Sequence, residues 1–236
     1  ISLFKNTGIH SIKGKATDIL SGTPLENVKI VLNTTKQKTD TVFTNGNGDY
    51  LLKNIPSNDY VFIRASKDGY LKDLKKFNTP DITETVCMSL ENGYPVNFKM
   101  YPIKKDVEFI IENIFYEFDK ATLFPESEVS LNKLVALLKE NPQLKIKINS
   151  HTDNRGTNQY NEELSKRRGQ SVVNYLLLQG IQKIRLNSEG FGERKPAIQN
   201  AKTEEEHQIN RRTTFEIMGE IQFVPSLSEE QNTSEN

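Results

Sequence analysis

A change of punctuation near residue 100 constrains the fold of this chain more than any other feature. Before it, short alternating segments are separated by turn clusters: Ser21-Gly22-Thr23-Pro24, Asn45-Gly46-Asn47-Gly48-Asp49, Pro56-Ser57-Asn58-Asp59 and Lys67-Asp68-Gly69. Val28, Ile30 and Leu32 alternate with polar neighbours, and Tyr60, Phe62 and Ala65 do so more loosely, which is the spacing of an antiparallel sandwich. After it, strands alternate with helices, as expected of helices packed on a mixed sheet. The reading is therefore two domains, an all-β sandwich over residues 10–92 and an α/β domain over residues 106–221. Residues 93–105 read as a linker and residues 222–236 as a disordered tail.

Within the α/β half, residues 114–118 read as a strand. Residues 125–140 carry Val129, Leu131, Leu134, Val135, Leu137 and Leu138 at helical spacing, with Pro125 in the first turn and Asn141-Pro142 as the stop. Ile146 and Ile148, flanked by Lys145 and Lys147, form a second strand. A long helix is expected over residues 158–178, ended by Gly180. A strand over 185–190, a short polar helix over 203–210 and a last strand over 213–218 complete the series.

Composition narrows the function. Of the 236 residues, 35% are hydrophobic and 26% charged, enough apolar material for a core in each domain. Lys plus Arg and Asp plus Glu both number 31, so no global field attracts nucleic acid or anionic lipid. No window approaches the roughly 18 consecutive apolar residues of a spanning helix, and the start lacks the layout of a signal peptide, so a signal has been removed or the chain is a fragment. The single cysteine, Cys87, reads as a buried strand residue and leaves the redox compartment open.

The most informative stretch is Ser150-His151-Thr152-Asp153-Asn154-Arg155-Gly156, followed by the long helix. On that helix Tyr160, Leu164, Arg168, Val172 and Leu176 recur every four residues, each step rotating about 40° past a full turn, so Arg168 sits among apolar neighbours. A guanidinium there needs an anionic partner or a water-filled site. Helical side chains lean toward the N-terminus, which points Arg168 back at the loop carrying Asp153. Spacing alone favours a structural salt bridge at least as much as a ligand clamp. Small and amide residues, Thr152, Asn154, Gly156, Asn158 and Asn161, cluster where free backbone N–H groups and the helix field suit a carboxylate. An acid and a guanidinium held there match the ammonium and carboxylate of an amino-acid head group.

Thr152-Asp153-x-x-Gly156, Asn161-x-x-Leu164-Ser165-x-x-Arg168 and Val172-x-x-Tyr175-Leu176-x-x-x-Gly180-Ile181 resemble the OmpA-like C-terminal domain. So do Phe118-Asp119-Lys120-Ala121-Thr122-Leu123 upstream, and Gly190-Phe191-Gly192-Glu193-x-x-Pro196 with Asn210-Arg211-Arg212-x-x-x-Glu216-Ile217 downstream. The resemblance implies noncovalent binding of peptidoglycan through the meso-diaminopimelate of the stem peptide, with Asp153 and Arg168 taking its ammonium and carboxylate groups. It also places Asp119, Thr152 and Asn161 near the pocket. One departure is Gly169, where the family usually has alanine.

Residues 12–18, Gly22-Thr23-Pro24-Leu25-x-x-Val28, Thr44-x-x-x-Gly48-x-Tyr50, and the run from Ile55-Pro56 to Gly69-Tyr70 resemble the carboxypeptidase regulatory-like domain, which implies a prealbumin-like sandwich without catalytic residues. The order of the two resembles the C-terminal part of Bacteroidota outer-membrane lipoproteins, among them a type IX secretion system component. These resemblances imply an envelope protein on the periplasmic side of the outer membrane of a Gram-negative cell. Its partners would be peptidoglycan and other envelope proteins, and it would meet the membrane only through an upstream anchor. The first domain would hold the wall anchor at a distance.

No catalytic residue, cofactor or metal is expected. His10, His151 and His207 lack HExxH spacing, and one cysteine cannot build a zinc cluster. A calcium loop starting at Asn45 would put Pro56 where the bidentate glutamate belongs, so that stretch reads as a tight turn. His151 reads as part of the pocket rim, and the run Glu204-Glu205-Glu206 as a solvated helix start. Lys72, Lys75 and Lys76 read as solvent-facing. The alternative to wall binding is an interaction module in which Asp153 and Arg168 only close a salt bridge.

Overall fold

The computed structural model describes residues 9–56, 59–79, 94–117 and 119–219. The first half is a two-sheet sandwich. Strand β1 (Ile9–Asp18) pairs antiparallel with β4 (Asp49–Pro56) and parallel with β7 (Tyr94–Pro95) and β8 (Phe98–Met100). The facing sheet is antiparallel, in the order β3 (Thr39–Phe43), β2 (Lys29–Thr34), β5 (Tyr60–Ser66), β6 (Asp73–Asn78). Val28, Ile30 and Leu32 are fully buried as their alternation predicts, but in β5 the inward face is Val61, Ile63 and Ala65 rather than Tyr60 and Phe62, and Tyr60 faces water. With Ile12, Leu52 and Ile55 these inward residues fill the space between the sheets.

The segment 93–105 is not a free linker. Its strands β7 and β8 extend the β1 sheet, and Phe98 and Met100 are fully buried in the sandwich core. Strands of two and three residues, paired with a partner some eighty positions away, leave no alternation for a sequence window to register. Gly14 makes this close approach possible, because a Cβ there would lie 1.8 Å from the Val96 carbonyl oxygen. The strand expected around Cys87 and the tail 222–236 lie outside the described residues.

The second half is a four-stranded mixed sheet in the order β11 (Leu186–Gly192), β10 (Lys145–His151), β12 (Thr213–Met218), β9 (Glu108–Ile110). Strand β10 runs parallel to β11 and antiparallel to β12. Helices α1 (Glu128–Glu140) and α2 (Asn158–Leu178) cover one face, enclosing Leu131, Leu134, Leu138, Ile146, Ile148, Val172, Leu176, Phe215 and Ile217. Thr157 caps α2 by accepting from the Tyr160 N–H, and Gly180 ends it at φ +85°, its N–H donating to the Leu177 carbonyl. Helix α3 (Glu204–Asn210) opens with a capping box of Thr203 and Glu206.

Two expectations change here. Of the expected strand 114–118, whose last residue lies outside the described residues, 114–117 do not join the sheet: Tyr116 makes one bridge with Leu123, and the Phe124 N–H donates to the Phe115 carbonyl, closing a turn with Asp119 at φ +59°. The sheet takes Glu108–Ile110 as its edge instead, and the aromatic run lines a cavity. Val129, counted on the apolar stripe of α1, is 65% exposed, because two residues of helix turn it to the side opposite the buried Leu131.

The domains touch directly. Leu71, from the sandwich, is buried in the second core, and its N–H donates to the Tyr101 carbonyl. The Asn141 side chain, at the end of α1, accepts from the Lys72 N–H at 2.9 Å and donates to the Lys72 carbonyl at 2.8 Å. Arg64 pairs with Glu140 at 2.8 Å.

Candidate functional site

Strand β10 delivers the loop 152–157 to the start of α2. Thr152 is buried and its N–H donates to the Gly192 carbonyl, fixing the loop base on β11. Asn161, also buried, donates from Nδ2 to the Asp153 carbonyl at 3.2 Å and to Glu193 Oε2 at 2.7 Å. Gly156 turns the chain at φ +110°, where a side chain would be strained. The loop is thus held from both sides, and Asp153, only 6% exposed, has a set position.

Asp153 does not pair with Arg168. Its Oδ2 accepts from Arg155 Nε at 2.9 Å, Arg155 Nη2 at 2.6 Å and Arg211 Nη1 at 2.6 Å, and its Oδ1 from the Arg155 backbone N–H at 3.1 Å. Burial alone raises the Asp153 carboxyl; the hydrogen bonds from Arg155 and Arg211 outweigh it and hold the group below the usual carboxylate range. Arg168 instead lies over the Tyr116 ring, 4.8 Å from its centroid, and donates from Nε to the Lys120 carbonyl at 3.1 Å. The turn 116–123 draws the guanidinium sideways, away from the loop the helical lean predicts. Among the described residues no carboxylate lies within ion-pair distance of Arg168. Asp119 stands at the same turn and accepts a hydrogen bond from the Tyr160 hydroxyl.

The five residues singled out by sequence therefore form two groups, Asp153, Thr152 and Asn161 at the helix start, Arg168 and Asp119 at the turn. Arg211 joins them, since it both binds Asp153 and lines a cavity with Arg168. That cavity, of about 340 Å³, has Phe115, Tyr116 and Phe124 as aromatic walls and receives Arg168, Arg211 and Arg212, against one lining carboxylate, Glu126. Sequence reasoning missed Arg211, Arg212 and Tyr116 as site residues. The available signal was a pair of adjacent arginines directly before an apolar strand.

Beneath the cavity, His151 is buried and stacks on Phe191 at 5.2 Å, with Nε2 3.3 Å from Glu108 Oε2 but poorly aligned for a hydrogen bond. Thr214 Oγ1 donates to Glu108 Oε2 at 2.8 Å and Asn149 Nδ2 to Glu108 Oε1 at 3.1 Å. The neighbouring His151, with Thr214 and the positive Arg212, holds Glu108 down to about 2 against the opposing effect of burial. A depressed carboxyl contributes stability that is complete above its unfolded value near 4.5 and is lost as pH falls through the folded value. Between pH 5 and pH 2.5, Glu108→Gln is expected to remove about 1 kcal/mol of the acid-dependent loss, a figure discounted for the solvent screening of a partly exposed carboxylate. Urea unfolding of both proteins at the two pH values measures it; equal losses sink the assignment.

A sandwich joined to a sheet-and-helix domain defines a two-domain chain whose second domain carries an arginine-lined cavity. Residues 115–211 match the OmpA family and residues 11–90 the carboxypeptidase regulatory-like domain, so the chain carries an OmpA-like domain preceded by a carboxypeptidase regulatory-like domain. Outer membrane porin F of Pseudomonas aeruginosa is 31% identical over 157 residues, which is 66% of this chain and 42% of that protein. Outer membrane protein A of Escherichia fergusonii is 36% identical over 127 residues, covering 53% of this chain and 49% of that protein. The chain thus spans less than half the length of these curated relatives. Among solved structures, the peptidoglycan-associated lipoprotein from Burkholderia pseudomallei aligns at 28% identity over 44% of this chain and 88% of that one, with a TM-score of 0.42.

Proposed function

We propose that the OmpA-like domain binds peptidoglycan noncovalently through meso-diaminopimelate of the stem peptide, and so fastens an envelope assembly to the cell wall from the periplasmic side of the outer membrane. The observation that carries this reading is Arg168, a permanent cation facing the cavity without a carboxylate partner among the described residues. A ligand carboxylate supplies that partner, and Arg211 connects it to Asp153, which takes the ammonium. Thr152 and Asn161 hold the loop in place, and Asp119 stands next to Lys120, whose carbonyl accepts from Arg168. The family match at residues 115–211 supports the same reading. Binding, with no bond broken, is the whole activity.

Each charge-assisted hydrogen bond contributes about 1.5 to 3 kcal/mol net, so one site binds modestly and a polymeric wall supplies avidity. The test is retention on purified sacculi. Asp153→Ala and Arg168→Ala are each expected to weaken retention by roughly tenfold or more, and soluble meso-diaminopimelate to compete with the wild type. Retention of both variants sinks the pocket assignment, and no retention of the wild type sinks the anchor. Competition by glycan fragments but not by diaminopimelate would overturn the stem-peptide specificity, and released muropeptides would overturn the non-catalytic reading.

A further inference from the structure

Asp153, the proposed ammonium acceptor, is closed off by the protein's own cations. Its side chain is 8% exposed, and that of Arg155, which lies against it, is 54% exposed. Arg155 and Arg211 together bring three N–H groups to the single oxygen Oδ2. An sp² oxygen offers two lone pairs, so the three donors compete and one of the Arg155 contacts is surplus. Both arginines also reach a second acid: Arg155 Nη1 lies 2.8 Å from Glu204 Oε2, and Arg211 Nη2 pairs with Glu204 Oε1. The result is a closed ring of alternating charge, Asp153, Arg155, Glu204 and Arg211, with a buried acid at one corner and an exposed acid opposite.

We propose that Arg155 is a self-inhibitory gate on Asp153, occupying it as a stand-in for the ligand ammonium and withdrawing onto Glu204 when the ligand binds. This rests on the diaminopimelate reading above and adds its regulation. Withdrawal gives up the two contacts to the buried Asp153 but leaves Arg155 paired, because Glu204 already holds its other nitrogen. Arg211, with its side chain 23% exposed, stays as the fixed link between Asp153 and the cavity. Glu204 is then a positioning residue: it never touches ligand and acts only by giving the gate somewhere to rest.

The gate has a signature that a purely structural role for Arg155 lacks. Deleting a structural brace weakens binding, whereas deleting a competitor strengthens it. Titration calorimetry of the full chain with meso-diaminopimelate alone is expected to give tighter binding for Arg155→Gln, by about tenfold if the covered state holds roughly nine-tenths of the population. Glu204→Gln is expected to weaken binding about threefold, because the arginine is left with Asp153 as its only acid. Wild-type or weaker affinity in Arg155→Gln, with an unchanged melting temperature, overturns the gate. Should Arg155→Gln melt early, Glu204→Gln decides alone, and unchanged or tighter binding there overturns the proposal. Asp153→Asn separates the two levels: if it binds like the wild type, both the site reading and the gate fall, whereas if it loses binding and Arg155→Gln also weakens, only the gate falls.

Discussion

Replacing Gly190 with alanine is expected to cost more than about 3 kcal/mol and to remove the proposed wall binding from whatever fraction still folds. A Cβ at Gly190 would lie 2.3 Å from the Lys166 backbone nitrogen and 2.6 Å from Ser165 Oγ, so α2 would have to lift off β11. The same helix turn is locked to that strand by the Gly192 N–H, which donates to Ser165 Oγ at 2.8 Å, and Arg168 follows two residues after Lys166. Lifting the helix therefore moves the guanidinium out of the cavity. Gly169 provides the contrast: a Cβ there meets Ser188 Cβ at 3.4 Å, an ordinary contact, so Gly169→Ala is expected to gain up to about 1 kcal/mol of helix propensity. Urea unfolding of the two variants reads both effects, and equal behaviour would falsify the close-approach account.

Phe215→Ala is the second large effect, expected to cost about 3 to 5 kcal/mol. Phe215 is 2% exposed, and its ring packs 5.2 Å from Phe109 and 5.6 Å from Tyr101, which themselves meet edge-on at 5.2 Å. Phe109 belongs to the edge strand and Tyr101 to the segment leaving the sandwich, so this one side chain ties the last strand, the sheet edge and the domain junction. Loss of the ring is expected to loosen all three, seen as a lower urea midpoint and as faster amide exchange at Leu71 and Phe109. A midpoint within the error of the wild type would show that the cluster collapses to fill the cavity.

Local signals made the helices and the last strand legible. The period of α2 and the Gly180 stop lie within a few residues of the features they control, and Thr213–Met218 alternates in plain sight. The three-residue edge strand β9 and the parallel partners of β1 were not legible, because their pairing depends on contacts far along the chain. The site divides in the same way. Asp153 and Arg168 stood out as an acid and a misplaced cation on nearby elements. The cation that pairs with Asp153 across the fold, Arg211, is 58 positions distant, and no periodicity connects the two. Spacing can show that an arginine needs a partner, but long-range packing chooses which partner it gets.

Asn141, whose side chain grips Lys72 of the sandwich, lies four residues before β10, and His151 in the cavity wall is that strand's last residue. The junction and the cavity therefore stand at opposite ends of one strand, roughly 20 Å apart. Strand β10 is hydrogen-bonded on both flanks, to β11 and to β12. A tensile load entering at Asn141 and leaving at His151 would run along this strand and be resisted in shear by two ladders at once.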